Sequence, residues 1–327
     1  MSERRGGRLA PLALAATLLV YLAATGTAAN AFNGAIGGVA GSGRGQARTG
    51  SSEPGQATPF KGTSAVGALF VRSNGQLGRH FCTASVVHSP AGDMLITAAH
   101  CMLGESLLPA GSVVFAPGYH DGKFPLGLWA VTGEFVTARW TSRHDPDDDV
   151  AFLIVGRSRM AVAGPGAAHE TGAEQAGQAG AANAAGAVLA GAGRAGSGAP
   201  LSLEEATGAV RLAVNSSLPD LIDAIGYPDT SSRPISCKAT ALAYRVNSLH
   251  QMMFDCGGFT DGTSGGPLLR DVSASIAGVV IGVIGGYEEG GYTPQVSYSA
   301  VFAGNIARLY QRAIRPDTSS QRADNAG

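Results

Sequence analysis

The sequence predicts an all-β protein of antiparallel sheets in two halves, closed by a C-terminal helix. Three observations carry that expectation. The 327 residues hold 48 glycines and only 14% charged side chains, a composition suited to many turns and long loops. Short β-rich runs recur between turn signals on both sides of an interruption at 161–200. The run from Phe302 to Ala313 instead places Phe302, Ile306 and Leu309/Tyr310 on one helical face.

In the first half the strand-like runs are Val66 to Val71, Phe81 to Val87, Met94 to Thr97, Ser112 to Ala116, Trp129 to Val136 and Val150 to Val155. Six short strands with polar connections suggest a closed antiparallel barrel. The pattern resumes with Ala209 to Val214, Leu221 to Gly226, Ala241 to Val246, Gln251 to Phe254, Pro267 to Leu269, Ala277 to Ile284 and Val296 to Val301. Between the halves, residues 161–200 contain sixteen Ala and ten Gly. Such a segment cannot bury enough apolar area to offset its ordering entropy, so a disordered insertion is expected. An Ala-rich helix is the alternative, opposed by glycines that each cost about 1 kcal/mol in a helix.

The N-terminus reads as a targeting segment. Arg4, Arg5 and Arg8 precede an apolar run from Leu9 to Ala24, and Ala29-Asn30-Ala31 has the A-x-A form that signal peptidase cuts. A signal peptide over 1–31 and a secreted, soluble mature protein are expected. The alternative is an uncleaved anchor, for which the apolar run is short of the roughly 18 residues a spanning helix needs. Residues 32–59, rich in small residues and without hydrophobic period, read as a flexible leader or propeptide, with ordered sequence beginning near Phe60. The N-terminal half then spans 60–160, the C-terminal half with its helix 201–314, and 315–327 form a tail. A net charge of -1 gives no long-range pull toward nucleic acid or anionic lipid.

Export makes the four cysteines readable as bridges, in any of three pairings. A zinc site is the alternative, but no C-x-x-C spacing is present.

Three blocks carry chemistry: Leu95-Ile-Thr-Ala-Ala-His100-Cys101, Asp149-Val-Ala-Phe-Leu153 and Asp261-Gly-Thr-Ser264-Gly-Gly-Pro267. A serine hydroxyl is a poor nucleophile until an imidazole takes its proton, and a buried carboxylate must hold that imidazole in one tautomer. Small residues before His100 give its ring room. Asp149 ends the acidic run from Asp145, whose bland reading is a solvated loop with weak calcium affinity. Asp149 differs from Asp147 and Asp148 because an apolar strand follows at once, although Asp148 is the next candidate. Glycines around Ser264 let backbone N–H groups converge on a developing oxyanion.

The order His, Asp, Ser and these flanking residues resemble the chymotrypsin/trypsin-like serine proteases. Subtilisins run Asp, His, Ser and α/β-hydrolases run Ser, acid, His. The likeness covers about 60 to 314 without the insertion, and lies toward secreted bacterial members, including relatives of glutamyl endopeptidases. It implies two six-stranded antiparallel Greek-key barrels with a C-terminal helix, bridges Cys82–Cys101 and Cys237–Cys256, and a Ser264–His100–Asp149 triad. The oxyanion donors it implies are the amides of Gly262 and Ser264.

By the same resemblance, Gly258 is the floor of the specificity pocket, with Phe259 and Thr260 as one wall and Gly285, Gly286 and Tyr287 as the other. Gln295 lies near the base. Gly258 has no charge for Lys or Arg, so an apolar or small polar side chain is expected there. The segment at Gly285–Tyr287 is expected to pair with substrate as an antiparallel strand. Thr263, next to the nucleophile, carries no charge to receive an activating N-terminal amine. The implied protein is a monomeric endopeptidase acting on proteins or peptides, with no metal or organic cofactor and no stable membrane association. The rival class is a non-catalytic homologue serving as an extracellular binding module.

Overall fold

A computed structural model describes residues 55–103, 108–109, 111–160, 201–273 and 277–315. The expected signal peptide, most of the leader, the 161–200 insertion and the tail beyond 315 lie outside the described residues.

Strand pairing begins inside the expected leader. β1 (Gly55–Gln56) and β2 (Thr58–Pro59) precede the first long strand. β3 (Val66–Ser73), β4 (Gln76–Val86), β5 (Met94–Thr97), β6 (Val113–Pro117), β7 (Leu128–Phe135) and β8 (Ala151–Met160) then form a closed barrel in the order β3-β4-β5-β8-β7-β6. Closure comes from β3 pairing antiparallel with β6, from Gly67↔Pro117 to Val71↔Val113. Leu69, Ile96, Phe115, Trp129, Phe152 and Leu153 are buried on its strands at 0–1% exposure. Burying side chains of this size contributes about 1.5–3 kcal/mol each.

The second half contains β9 (Arg211–Leu212), β10 (Asp220–Gly226), β11 (Ile235–Val246), β12 (Leu249–Gly257), β13 (Pro267–Arg270), β14 (Val279–Val283) and β15 (Val296–Ala300). Hydrogen bonding runs β14-β13-β10-β11-β12-β15. The two ends of that path meet where Gly285 N–H donates to Tyr298 O at 3.0 Å and Val283 N–H to Ser299 Oγ at 3.0 Å. β9 is shorter than the run expected over Ala209–Val214 and joins the edge of β14 in parallel. β1 pairs parallel with β12 and β2 antiparallel with β11, so the start of the described chain is fastened to the second sheet. An all-β, two-barrel fold is thus observed.

The C-terminal helix is the third of three α-helices among the described residues. α1 (Ala138–Arg143) and α2 (Leu203–Thr207) were not anticipated from periodicity, being too short to show one. Their caps were legible: Thr137 accepts from Trp140 N–H, and Ser202 with Glu205 forms a reciprocal capping box. α3 (Gly304–Ala313) buries Ile306, Leu309 and Ala313, with Phe302 just before it. It reaches back to the first barrel, where Tyr310 packs edge-on to Phe152 at 5.6 Å and donates to His88 O at 2.8 Å. No helix among the described residues is long and apolar enough to cross a membrane.

Both bridges implied by the resemblance are present, Cys82–Cys101 and Cys237–Cys256, each closing a separation of 19 residues. A closed loop of that length restricts the unfolded chain by about 3 kcal/mol. Replacing Cys82 and Cys101 together by Ser is therefore expected to lower unfolding free energy by about that amount. Urea denaturation of the variant beside the parent measures it, and an unchanged midpoint would contradict the assignment.

Candidate active site

The acidic run is the opposite of a solvated loop. Pro146–Asp148 makes a 3₁₀ turn, capped by Asp145 accepting from Asp147 N–H at 3.2 Å. Asp147 Oδ1 accepts from His250 N–H at 2.9 Å and from Gln251 Nε2 at 2.6 Å, both on β12. Asp148, fully buried, accepts from Asn305 Nδ2 on α3 at 2.8 Å and pairs with Arg139 Nε at 3.1 Å. With these two committed elsewhere, Asp149 alone is left to face His100.

Asp149 is 1% exposed and makes three hydrogen bonds. Its Oδ1 accepts the backbone N–H of His100 at 2.8 Å, while Oδ2 accepts His100 Nδ1–H at 2.7 Å and Gly286 N–H at 2.7 Å. A carboxylate on Nδ1 fixes the tautomer and leaves the lone pair on Nε2. His100 opens a 3₁₀ turn directly after β5 and the buried Ala98 and Ala99. Its side chain keeps 10% exposure. Burial pulls the imidazole pKa down, but the charge and hydrogen bond of Asp149, and then the charge of Glu289, outweigh it and leave the pKa raised.

Ser264 sits in a turn that presses on the same strand end. A Cβ on Gly265 would meet Thr97 Oγ1 at 2.0 Å and Ala98 N at 3.0 Å, so only glycine permits this approach. Gly265 N–H donates to Ile284 O at 2.7 Å, one residue before the Gly285–Gly286 pair that packs on Asp149. The carbonyls of the turn point back into the protein. Thr83 Oγ1 donates to Gly262 O at 2.9 Å, Thr83 N–H to Ser264 O at 2.8 Å, and Asp229 N–H to Asp261 O at 2.8 Å. The amides of Gly262 and Ser264 donate to no acceptor among the described residues, whereas Thr263 N–H is spent on Thr260 O at 3.1 Å. Thr263 is 2% exposed and its hydroxyl also donates to Thr260 O at 2.6 Å, so local bonds hold this turn.

A cleft of about 380 Å³ opens beside Ser264. Phe259 and Thr260 line it. Gly258 does not; its N–H is bonded to Pro294 O at 2.9 Å and the Gln56 side chain lies over it. Gly285, Gly286 and Tyr287 are not on its wall either. Their amides go to Tyr298 O, Asp149 Oδ2 and Gln251 Oε1, and a tight turn follows at Tyr287–Gly290 with Glu288 and Glu289 in the left-handed region at φ +53° and +52°. The extended strand expected there is replaced by a support for the carboxylate. Gln295 stands back, its carbonyl accepting from Cys256 N–H at 2.8 Å. The opposite wall comes instead from Ile284, Glu289, Tyr292, Pro294 and Ser297. Counting back from a nucleophile does not find such residues, because loop lengths are not carried in a motif.

Atoms of Cys82, His100 and Cys101 lie within 4.8 Å of one another, but both sulfurs are consumed in a bridge and neither is a thiolate ligand. The bridge instead lies under the imidazole and pins its backbone.

The fold is chymotrypsin-like. A protease, Anisep, from Arthrobacter nicotinovorans superposes with a TM-score of 0.55 at 19% identity, over 79% of this chain and 99% of that one. A thermostable serine protease, AL20, from an extremophilic microorganism gives 0.54 at 22% identity, over 77% and 97%. A Glu endopeptidase gives 0.51 at 12% identity, over 80% and 98%. No protein-family model matches the sequence, and no curated protein matches it significantly.

Thr83, fully buried in the first barrel, accepts from Tyr227 N–H at 2.9 Å while holding Gly262 O. Thr83→Val would leave both groups buried and unmet, at about 1–3 kcal/mol for each. A fall in thermal midpoint is expected for Thr83→Val and a much smaller one for Thr83→Ser, read by calorimetry. Equal midpoints for the two variants would show that the hydroxyl carries no such role.

Proposed function

We propose that this protein is a secreted serine endopeptidase that uses Ser264, His100 and Asp149 as its triad. The observation that carries the reading is the buried Asp149 carboxylate bonded to His100 Nδ1 and to the His100 backbone, in a chymotrypsin-like fold with Ser264 at the cleft. Ser264 Oγ attacks the scissile carbonyl as its proton passes to His100 Nε2. The oxyanion formed is received by the otherwise uncommitted amides of Gly262 and Ser264, each worth on the order of 3 kcal/mol in such sites. The imidazolium returns the proton to the leaving amine, the acyl-enzyme forms, and water repeats the sequence to release the acid. Asp149 stays ionised and stabilises the imidazolium. None of these steps calls on a metal or cofactor. Two disulfides suit an oxidising compartment, in keeping with the A-x-A signal.

Glutamyl specificity is not carried over from the third neighbour. Among the described residues the cleft lining includes Asp229, Asp261 and Glu289 and no Lys, Arg or His. Asp229 is paired to Arg79 at 3.1 Å, so an acidic substrate side chain meets the like charges of Asp261 and Glu289. Phe259, Ile284 and Pro294 supply apolar surface for an uncharged one.

A fluorophosphonate probe is expected to label the parent and not Ser264→Ala, which loses turnover by about 10⁶-fold. Asp149→Asn is expected to cost on the order of 10⁴-fold. Absence of labelling in the folded parent would favour the binding-module alternative, and a larger loss in Asp148→Asn would reassign the acid.

The raised His100 pKa sets the acid limb of activity. The general base is the neutral imidazole, so kcat/KM falls as pH drops through that pKa, with a midpoint above the ordinary histidine value of about 6.5. Glu289→Gln removes one of the raising charges and should move the midpoint down. A parent midpoint under about 6.5 in a pH–rate profile would mean that burial outweighs Asp149.

A further inference from the structure

We propose that Gln251 is a positioning residue for the triad: its amide spans the acidic run and the Gly286 turn, and so delivers Gly286 N–H to Asp149 Oδ2. The inference rests on the triad reading above.

Gln251 lies on β12 at 1% exposure. A buried amide is costly unless both ends are bonded, and an apolar residue of the same volume would fill the site more cheaply. Both ends of this one are bonded. Nε2 donates to Asp147 Oδ1 at 2.6 Å, two residues before the triad acid, and Oε1 accepts Tyr287 N–H at 3.0 Å. The peptide before Tyr287 belongs to Gly286, whose own N–H reaches Asp149 Oδ2 at 2.7 Å. Contact is close enough that a Cβ on Gly286 would meet Gln251 Oε1 at 2.1 Å, and Gly286 sits at φ +79°. Gly286 thus hangs from the Gln251 oxygen with little play. The atom at the far end of this chain, Asp149 Oδ2, is the one that holds His100 Nδ1. Gln251 touches neither substrate nor the reacting atoms. It acts through Gly286 on the direction of the Asp149 carboxylate.

The test compares Gln251→Met, Gln251→Glu and the double variant Gln251→Glu/Asp147→Asn in the full-length protein. Gln251→Met keeps bulk and removes both bonds. Misdirection of a catalytic group by a fraction of an ångström is expected to lower kcat about 10- to 100-fold with KM little changed. The low-field proton resonance of His100 Nδ1–H should shift and exchange faster with water. Gln251→Glu sets two carboxylates against each other and should lower kcat similarly. In the double variant the like charges are gone and an amide–carboxylate bond can form with donor and acceptor exchanged, at the cost of the His250 N–H bond that Asp147 Oδ1 also accepts. Both kcat and the resonance should therefore recover in part relative to Gln251→Glu; such recovery is the mark of direct coupling. The proposal is overturned if Gln251→Met lowers only the thermal midpoint with kcat and the resonance unmoved, or if the double variant does no better than Gln251→Glu. Should Gln251→Met fail to fold, the single and double Glu variants decide. Should the parent hydrolyse no peptide, the protease reading fails, and the His100 resonance still decides the role of Gln251.

Discussion

Everything in this molecule turns on keeping one carboxylate out of water. An ionised group moved from solvent into a protein interior costs several kcal/mol unless donors replace its hydration. Asp149 is met by three N–H groups that come from two places in the chain: the backbone and ring of His100, just past β5, and the amide of Gly286, just past β14. One set belongs to the first barrel and the other to the second sheet. Solvating the acid therefore requires both halves to be closed and docked, and the junction between them becomes the site.

The neighbouring acids explain how such a junction is fixed. Asp147 ties the run to β12 and Asp148 ties it to α3. Charges that would repel one another in a flexible loop are each given a separate partner from a separate element. The turn at Gly262–Gly265 follows the same logic with neutral groups. Its carbonyls at Gly262 and Ser264 are taken up by Thr83, while the Gly262 and Ser264 amides donate to no acceptor among the described residues.

The candidate site was legible in the sequence where the proposed chemistry demands adjacent residues. His100 needs small neighbours and a strand end, Asp149 needs a buried strand after it, and Ser264 needs glycines, so each leaves a mark within a few positions. The Gly285–Tyr287 support and the outer cleft wall left none. Their roles depend on which amide meets Asp149 Oδ2 or Gln251 Oε1, and those partners lie far away in sequence. Strand runs were readable because alternation is local. β1 and β2 were missed because two-residue strands at exposed positions have no pattern to read.

The two ends of the described chain are exchanged between the halves. Gly55–Gln56 and Thr58–Pro59 are paired with β12 and β11 of the second sheet, while α3, at the other end, lies on the first barrel. As the polypeptide emerges, the first barrel can pair its strands early, yet its helical cover is made last of all. The opening strands must meanwhile wait unpaired for residues 235–257. Contacts of such long range slow the search for the native state, since loop closure precedes any reward. Once made, they act as two straps buckled in opposite directions. Neither half can open without releasing the other's strap, so the cleft and the scaffold are expected to be lost together on unfolding.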